Sequence, residues 1–348
     1  KDVLSSEISI CGQKVPFGAN MLFRDVKRPE ITFAIEICED LWSPIPPSSY
    51  YAINGATVIF NLSASNELAA KNEYRRGLVS GQSASAICGY VYSSSGVGES
   101  TQDLVFSGHA IICENGSLLK ENKRFSMENQ LIYADLDIEK LYNDRKKNTS
   151  FKDLTGNSKD CVYIDIDTGE WKEEELHRFV NRMPFVPKND GMLFERCDDI
   201  FNIQVAGLAK RIEHTNAKAL VIGISGGLDS TLALLVAVKA CDRLGLDRRT
   251  VLGITMPGFG TTDRTYNNAL SLMEALGVTV KEISIKEASI LHFNDIGHDI
   301  ENHDVTYENT QARERTQILM DLANKHNGMV IGTGDLSELA LGWATYNG

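Results

Sequence analysis

Short apolar runs separated by polar stretches mark the first part of the chain. Runs at 32–37, 56–62, 89–94 and 109–113 are typical of strands, and the polar stretch 68–87 is compatible with a helix. Asn115-Gly116, one residue after the last run, predicts a hairpin turn. This alternation of strands and a helix predicts an α/β layered domain over residues 1–145.

A regular alternation of strand and helix patterns fills residues 191–348. The patterns predict helices at 192–215, 229–243, 263–276 and 307–326, with strands at 219–224, 250–255, 278–284 and 329–332. Repeated βα units predict a doubly wound, Rossmann-like parallel sheet. Between the two domains, 146–190 is polar and punctuated by Pro and Gly, which is typical of an interdomain connection.

Bulk composition narrows the class of protein. The chain has 348 residues, 43% of them hydrophobic and 24% charged, which fits a soluble protein of two domains. The formal charge of −12 argues against nucleic-acid binding, and no apolar run approaches the length of a membrane span. Seven scattered cysteines without a CxxC pair fit a reducing cytoplasm better than a zinc site.

The segment Ser225-Gly226-Gly227-Leu228-Asp229-Ser230 lies between the predicted strand 219–224 and the following predicted helix. Backbone N–H groups at the start of a helix bind anions, and glycines allow a ligand to come close. The loop lacks the Lys of a Walker A motif. Because Asp229 would repel phosphate, the loop predicts a nucleotide held with Mg²⁺.

Two further segments follow predicted strands at the same sheet edge, where ligands bind in doubly wound sheets: 254–260, with Met256, and 331–338, with Thr333, Asp335 and Glu338. Taken alone, Asp335 and Glu338 fit a helix capping box as well as they fit a site. The helix 307–317 alternates Arg and Gln; it is either a solvated face or a source of donors for carboxylate or phosphate.

Taken together, SGGLDS, TYENTQARERTQ and GTGDLSELALGWATYNG resemble the NAD⁺ synthetases, a group of N-type ATP pyrophosphatases with an adenine nucleotide alpha hydrolase type of fold. The resemblance covers 191–348. It implies that ATP adenylates the nicotinate carboxylate of nicotinic acid adenine dinucleotide, and that ammonia then displaces AMP to give NAD⁺.

The same resemblance implies roles for individual residues. ATP would be bound by Ser225, Gly226, Gly227, Asp229, Ser230, Met256 and Thr333. The deamido dinucleotide would be bound by Tyr307, Asn309, Arg313, Glu338 and Trp343. Asp229 and Glu338 would hold Mg²⁺, and Lys286 is a further candidate for a phosphate contact.

Cys38 ends the first apolar run and is followed by Glu39 and Asp40. From the residues alone it is either one of several buried thiols or a nucleophile that needs a base nearby. Its context, with 61–67 and 74–76, resembles the nitrilase-type glutamine amidases over about 1–140. That resemblance implies an α-β-β-α sandwich, a Glu–Lys–Cys triad with Cys38 as nucleophile, and glutamine binding by Glu39, Ser65 and Lys71.

The two resemblances together imply a glutamine-dependent NAD⁺ synthetase, a homo-oligomeric C–N ligase using glutamine as nitrogen donor. In that family the catalytic Glu and Lys lie further upstream of the cysteine than 1–37 allows, so we expect a chain that begins inside the glutaminase domain, ends within the synthetase motif and lacks glutaminase activity by itself. Two alternatives stay open: another amidotransferase with an N-type ATP pyrophosphatase domain, and an inactive ATP-binding fragment.

Overall fold

The computed structural model describes residues 6–100, 103–154, 160–170, 175–184, 186–187, 190–260 and 263–342. The chain forms two compact units, Lys1–Arg182 (unit 1) and Met183–Gly348 (unit 2). The strands are Glu7–Ile10 (β1), Gln13–Pro16 (β2), Met21–Asp25 (β3), Thr32–Ile37 (β4), Val58–Ser63 (β5), Gly89–Ser94 (β6), Ala110–Glu114 (β7), Ser117–Glu121 (β8), Val162–Ile166 (β9), Leu220–Gly223 (β10), Val251–Thr255 (β11), Thr279–Glu282 (β12) and Met329–Val330 (β13). The helices are Pro47–Ile53 (α1), Lys71–Ser85 (α2), Ile138–Lys147 (α3), Thr149–Leu154 (α4), Asp190–Thr215 (α5), Leu228–Leu244 (α6), Asp263–Leu276 (α7), Lys286–Ile296 (α8), Val305–Lys325 (α9) and Leu336–Leu341 (α10).

Unit 1 is built on a seven-stranded mixed sheet of order β8-β7-β6-β5-β4-β3-β9. Its central strands β4, β5 and β6 are parallel, so their carboxyl ends meet at one edge. Side chains such as Leu22, Ile59 and Tyr90 are fully buried against α1 and α2 on one face. The seven-stranded sheet and its helices therefore supply one sheet and one helical layer of the predicted nitrilase-like sandwich, and β1 and β2 form a separate antiparallel pair.

The other face of this sheet is apolar and partly open. Ile35 and Ile37 of β4 and Phe60 and Leu62 of β5 alternate with the buried residues and are all exposed by more than a third. Successive side chains of β4 and β5 therefore point to opposite faces of the sheet, as in any strand, but both faces of the sheet are apolar.

Unit 2 contains a four-stranded parallel sheet of order β12-β11-β10-β13. Leu220 and Ile222 pack with α5, α6 and α7 on one face. Val221, between them in sequence, packs with α9 on the other face. Helices cover both faces, which confirms the predicted doubly wound parallel sheet and the α/β class.

Several elements lie outside the sequence-based expectation, among them α8 and β9. Helix α8 was not predicted, since Ile285 gives it no side-chain cap and only Gly297, in the left-handed conformation, marks its end. Strand β9 falls in the predicted connection 146–190, yet it pairs in parallel with β3 and lies within unit 1. Its alternating sequence VYIDI suits an edge strand.

Candidate active sites

The loop after β10 needs a glycine at its second position. Gly226 has φ +83, and a Cβ there would lie 2.2 Å from the carbonyl oxygen of Thr265. Gly227 is the N-cap of α6 and brings no capping side chain. The first backbone N–H groups of α6 are thus free of side-chain caps, which is the geometry of an anion site.

Two hydroxyls brace the same loop. The Oγ atoms of Ser225 and Ser230 lie 3.2 Å apart, and Ser230 Oγ donates to the Gly227 carbonyl at 3.1 Å. The Gly227 N–H points to Ser225 Oγ at 3.3 Å. This ring of hydrogen bonds fixes the turn before any ligand arrives.

A cavity of about 510 Å³ opens beside the loop in unit 2. Five predicted residues line it: Ser225, Ser230, Met256, Tyr307 and Thr333. They come from the ends of β10, β11 and β13 and from α9, so the structure gathers the three predicted loop segments at one sheet edge, as the topology requires.

Other predicted residues lie outside the lining of this cavity. Asp229 and Glu338 are exposed at the starts of α6 and α10, and Lys286 is exposed at the start of α8. On α9, Asn309 is half-buried and Arg313 is exposed. Trp343 lies outside the described residues, and the roles assigned to all these side chains stay predictions.

Asp335 and Glu338 form the capping box that the sequence allowed. Asp335 Oδ1 accepts from the Glu338 N–H at 2.8 Å, and Glu338 Oε2 accepts from the Asp335 N–H at 3.1 Å. Over the described ranges, no three His, Cys, Asp or Glu side chains cluster as a metal site. A cation here would need ligand oxygens in addition to Asp229 and Glu338, as Mg²⁺ on a phosphate chain has.

Several lining residues have no role predicted from the sequence: Thr265, Tyr266, Glu308, Gln311 and Arg315. Gln311 Nε2 donates to the Tyr307 carbonyl at 3.3 Å, and Gln311 Oε1 accepts from the Phe259 N–H at 3.2 Å. Tyr307, Gln311, Arg315 and Leu319 recur every four residues on one face of α9. That spacing is the signal for this face, and it includes Arg315; the predicted contact of Arg313 with the dinucleotide stays a prediction.

In unit 1, Cys38 directly follows β4 with φ +49, a left-handed conformation that costs a non-glycine residue energy. A 3₁₀ turn, Cys38–Trp42, begins there. Asp40 Oδ2 accepts from the Ile37 N–H at 2.9 Å and holds the turn. The half-buried Cys38 thiol is therefore presented at the carboxyl edge of the parallel strands.

A cavity of about 480 Å³ lies over this cysteine. Its lining includes all four residues predicted for glutamine chemistry: Cys38, Glu39, Ser65 and Lys71. Lys71 Nζ donates to the backbone and side-chain oxygens of Asn66 at 2.8 and 3.0 Å. The cavity also contains Trp42, Ser43, Ala64 and Asn66, which sequence reasoning did not assign.

Beneath Cys38 runs a chain of buried hydrogen bonds across three strands. Tyr90 Oη donates to Glu36 Oε1, and Glu36 Oε2 accepts from the Ser48 N–H at 2.8 Å. Asn61 Nδ2 donates to Tyr90 Oη at 3.2 Å and lies 3.5 Å from the Cys38 carbonyl. Burial, then the negative charge of Glu36, strongly raises the pKa of Tyr90, so it stays a neutral donor.

Comparison with known proteins relates the second unit to the NAD synthases. Residues 200–348 match the family model described as NAD synthase. The NH(3)-dependent NAD(+) synthetase of Pyrobaculum aerophilum is 35% identical over 147 residues, which are 42% of this chain and 53% of that protein.

Longer relatives extend the match. The chain is 43% identical to the glutamine-dependent NAD(+) synthetase of Mycobacterium leprae, over 97% of this chain and 51% of that protein. The Mycobacterium tuberculosis protein of the same name is 42% identical, again over 97% and 51%. These matches confirm the resemblance to glutamine-dependent NAD⁺ synthetases, and the chain spans about half the length of these curated relatives.

Among solved structures, the glutamine-dependent NAD+ synthetase from Acinetobacter baumannii in complex with ADP matches with a TM-score of 0.41 and 22% identity, covering 98% of this chain and 52% of that chain. Within the part of the chain that the structure describes, no helix is long and apolar enough to cross a membrane.

Proposed function

We propose that this chain takes part in glutamine-dependent NAD⁺ synthesis, with residues 1–145 belonging to a glutaminase domain and 191–348 forming the synthetase domain. The observation that carries the proposal is the pair of cavities. One is lined by Cys38, Glu39, Ser65 and Lys71, and the other is lined by the SGGLDS hydroxyls, Met256 and Thr333.

In unit 2 the substrates would be ATP and nicotinic acid adenine dinucleotide. A carboxylate oxygen of the nicotinate attacks the α-phosphorus of ATP, and pyrophosphate leaves. Ammonia then attacks the activated carbonyl carbon, AMP leaves with the bonding electrons, and the nitrogen releases one proton to water as the amide of NAD⁺ forms. The N–H groups at the start of α6 and the hydroxyls of Ser225 and Ser230 would bind phosphate oxygens whose charge changes in these steps.

The site offers carboxylate oxygens, which are the kind of ligand that Mg²⁺ prefers. Asp229 and Glu338 are exposed carboxylates that follow the neighbouring strands β10 and β13, and Glu338 Oε1 is not needed for the capping box. These two side chains would hold the ion together with phosphate oxygens. When bound, Mg²⁺ would offset the negative charge of the phosphates.

In unit 1, the Cys38 thiolate would attack the amide carbon of glutamine, releasing ammonia and forming a thioester that water then hydrolyses to glutamate. Glu39, Ser65 and Lys71 would bind the glutamine. The free state of all seven cysteines supports a cytoplasmic location, and the family resemblance supports a homo-oligomer.

The test uses the full-length protein that carries this chain. We expect NAD⁺, AMP and pyrophosphate to form from ATP and the deamido dinucleotide with either glutamine or ammonium chloride. Cys38→Ser should lower the glutamine-dependent rate at least about 10³-fold and leave the ammonia-dependent rate unchanged. Cys11→Ser, which removes an exposed thiol elsewhere in unit 1, is the matched control and should keep both rates.

Two results would overturn the proposal. If Cys38→Ser lowers both rates equally, Cys38 does not supply ammonia. If the wild-type protein converts ATP with the dinucleotide under neither nitrogen source, the synthetase assignment is wrong and the inactive ATP-binding alternative takes its place.

A further inference from the structure

Among the described residues that line the nucleotide cavity of unit 2, Arg315 is the one with a positively charged side chain. Its other charged lining residue is Glu308. In a chain of formal charge −12, a polyphosphate cannot rely on the general field of the protein and needs local positive charge. Arg313, which the family resemblance assigns to the deamido dinucleotide, is exposed and does not line this cavity.

Arg315 is held in place by neighbouring backbone. Its Nε donates to the Met256 carbonyl at 3.3 Å, at the end of β11. A Cβ on Gly258 would lie 2.7 Å from Arg315 Nη2 and 2.6 Å from Gln311 Oε1, so glycine lets this loop pack against both side chains. An anchored guanidinium loses little further freedom when it binds a ligand, and its planar donors suit phosphate oxygens.

The charge of Arg315 is not compensated by an ion pair among the described residues. Burial lowers the pKa of Arg315, and the negative charge of Glu308 offsets only part of that effect. A partly buried guanidinium without a carboxylate partner is costly, and an anionic ligand in the cavity would remove that cost.

We propose that Arg315 is a nucleotide-binding residue that donates hydrogen bonds from its guanidinium to phosphate oxygens of ATP, and after adenylation to the phosphate of AMP. This assignment rests on the proposed function only in naming ATP as the ligand. It predicts that Arg315 recognises phosphate and not adenosine.

The experiment measures binding to the full-length protein by calorimetry with ATP, AMP and adenosine. Arg315→Gln should weaken ATP and AMP binding by about 10- to 100-fold, the usual worth of a hydrogen bond to a charged group, and leave adenosine binding unchanged. Arg243→Ala, an exposed arginine in the last turn of α6, is the control and should change none of the three.

Two outcomes contradict this role. Equal weakening of ATP and adenosine would mean that Arg315 shapes the pocket through Met256, and unchanged ATP binding would mean that it does not touch the ligand. If Arg315→Gln does not fold, the wild-type protein decides: ATP and AMP, but not adenosine, should slow the modification of Arg315 by phenylglyoxal, as read by peptide mass spectrometry. A wild-type protein that binds ATP but makes no NAD⁺ would disprove the proposed function and leave the role of Arg315 standing.

Discussion

The two units both present their candidate sites at the carboxyl ends of parallel strands, but they differ in the residue that makes the sharp turn. In unit 2 the left-handed position is Gly226, with φ +83, and in unit 1 it is Cys38, with φ +49. They also differ in how many faces of the sheet are covered by helices. Helices pack on both faces of the unit 2 sheet, whereas the described part of unit 1 has its helices on one face.

The difference in turns follows from what each turn offers a ligand. At Gly226 the useful groups are backbone N–H donors, and any side chain would meet Thr265. At Cys38 the useful group is the side chain itself, so the backbone must accept strain and the surroundings must hold it. The hydrogen bonds that link Glu36, Tyr90 and Asn61 lie directly beneath Cys38 and can hold its backbone in place.

The largest expected effect on ligand binding comes from closing the turn in unit 2. Gly226→Ala adds a Cβ 2.2 Å from a carbonyl oxygen at a positive φ, so the loop must move. We expect ATP binding to weaken at least about 100-fold, a loss of two or more phosphate contacts, in calorimetry. Gly207→Ala, within α5 and with open space around the new methyl group, is the control; a normal ATP affinity in Gly226→Ala would show that the backbone approach is not needed.

The second prediction concerns the two faces of the unit 1 sheet. Ile59 is 0% exposed and Ile35 is 39% exposed, on neighbouring strands. Ile59→Ala should lower the free energy of unfolding by about 2–5 kcal/mol, and Ile35→Ala by less than about 1 kcal/mol. Urea denaturation of residues 1–348 measures both; equal losses would mean that the open face is covered in solution.

The third prediction addresses the support beneath Cys38. Tyr90→Phe leaves the buried carboxylate of Glu36 with one donor fewer and should cost about 1–3 kcal/mol of folding free energy. It should also slow the alkylation of Cys38 by iodoacetamide, because the turn loses its anchor.

Tyr92 on the same strand is a matched control, since its buried hydroxyl has no partner among the described residues. Tyr92→Phe should be neutral or stabilising and should leave Cys38 alkylation unchanged. If both variants behave alike, the hydroxyl of Tyr90 has no specific role in the turn.

How far the sequence predicts each site depends on the distance between the interacting residues. The run 32–37 predicts β4 to the residue, and SGGLDS predicts a turn before α6, because both signals are local. The bond between Tyr90 and Glu36 joins residues 54 apart and depends on the order of three strands. Which arginine of α9 lines the cavity depends on the rotation of the helix about its axis, which only the packed structure fixes.

The smallest effect separates backbone strain from chemistry at Cys38. Cys38→Ala and Cys38→Gly should both lose glutamine use, but they should differ in stability. Left-handed backbone costs alanine about 1–2 kcal/mol, and the extra freedom of unfolded glycine offsets about 0.5–1 kcal/mol of that. We therefore expect the glycine variant to be about 0.5–1 kcal/mol more stable in urea denaturation. An alanine variant of equal or greater stability would show that the turn in unit 1 carries no strain, and the contrast with Gly226 would then lie only in the chemistry of the side chain.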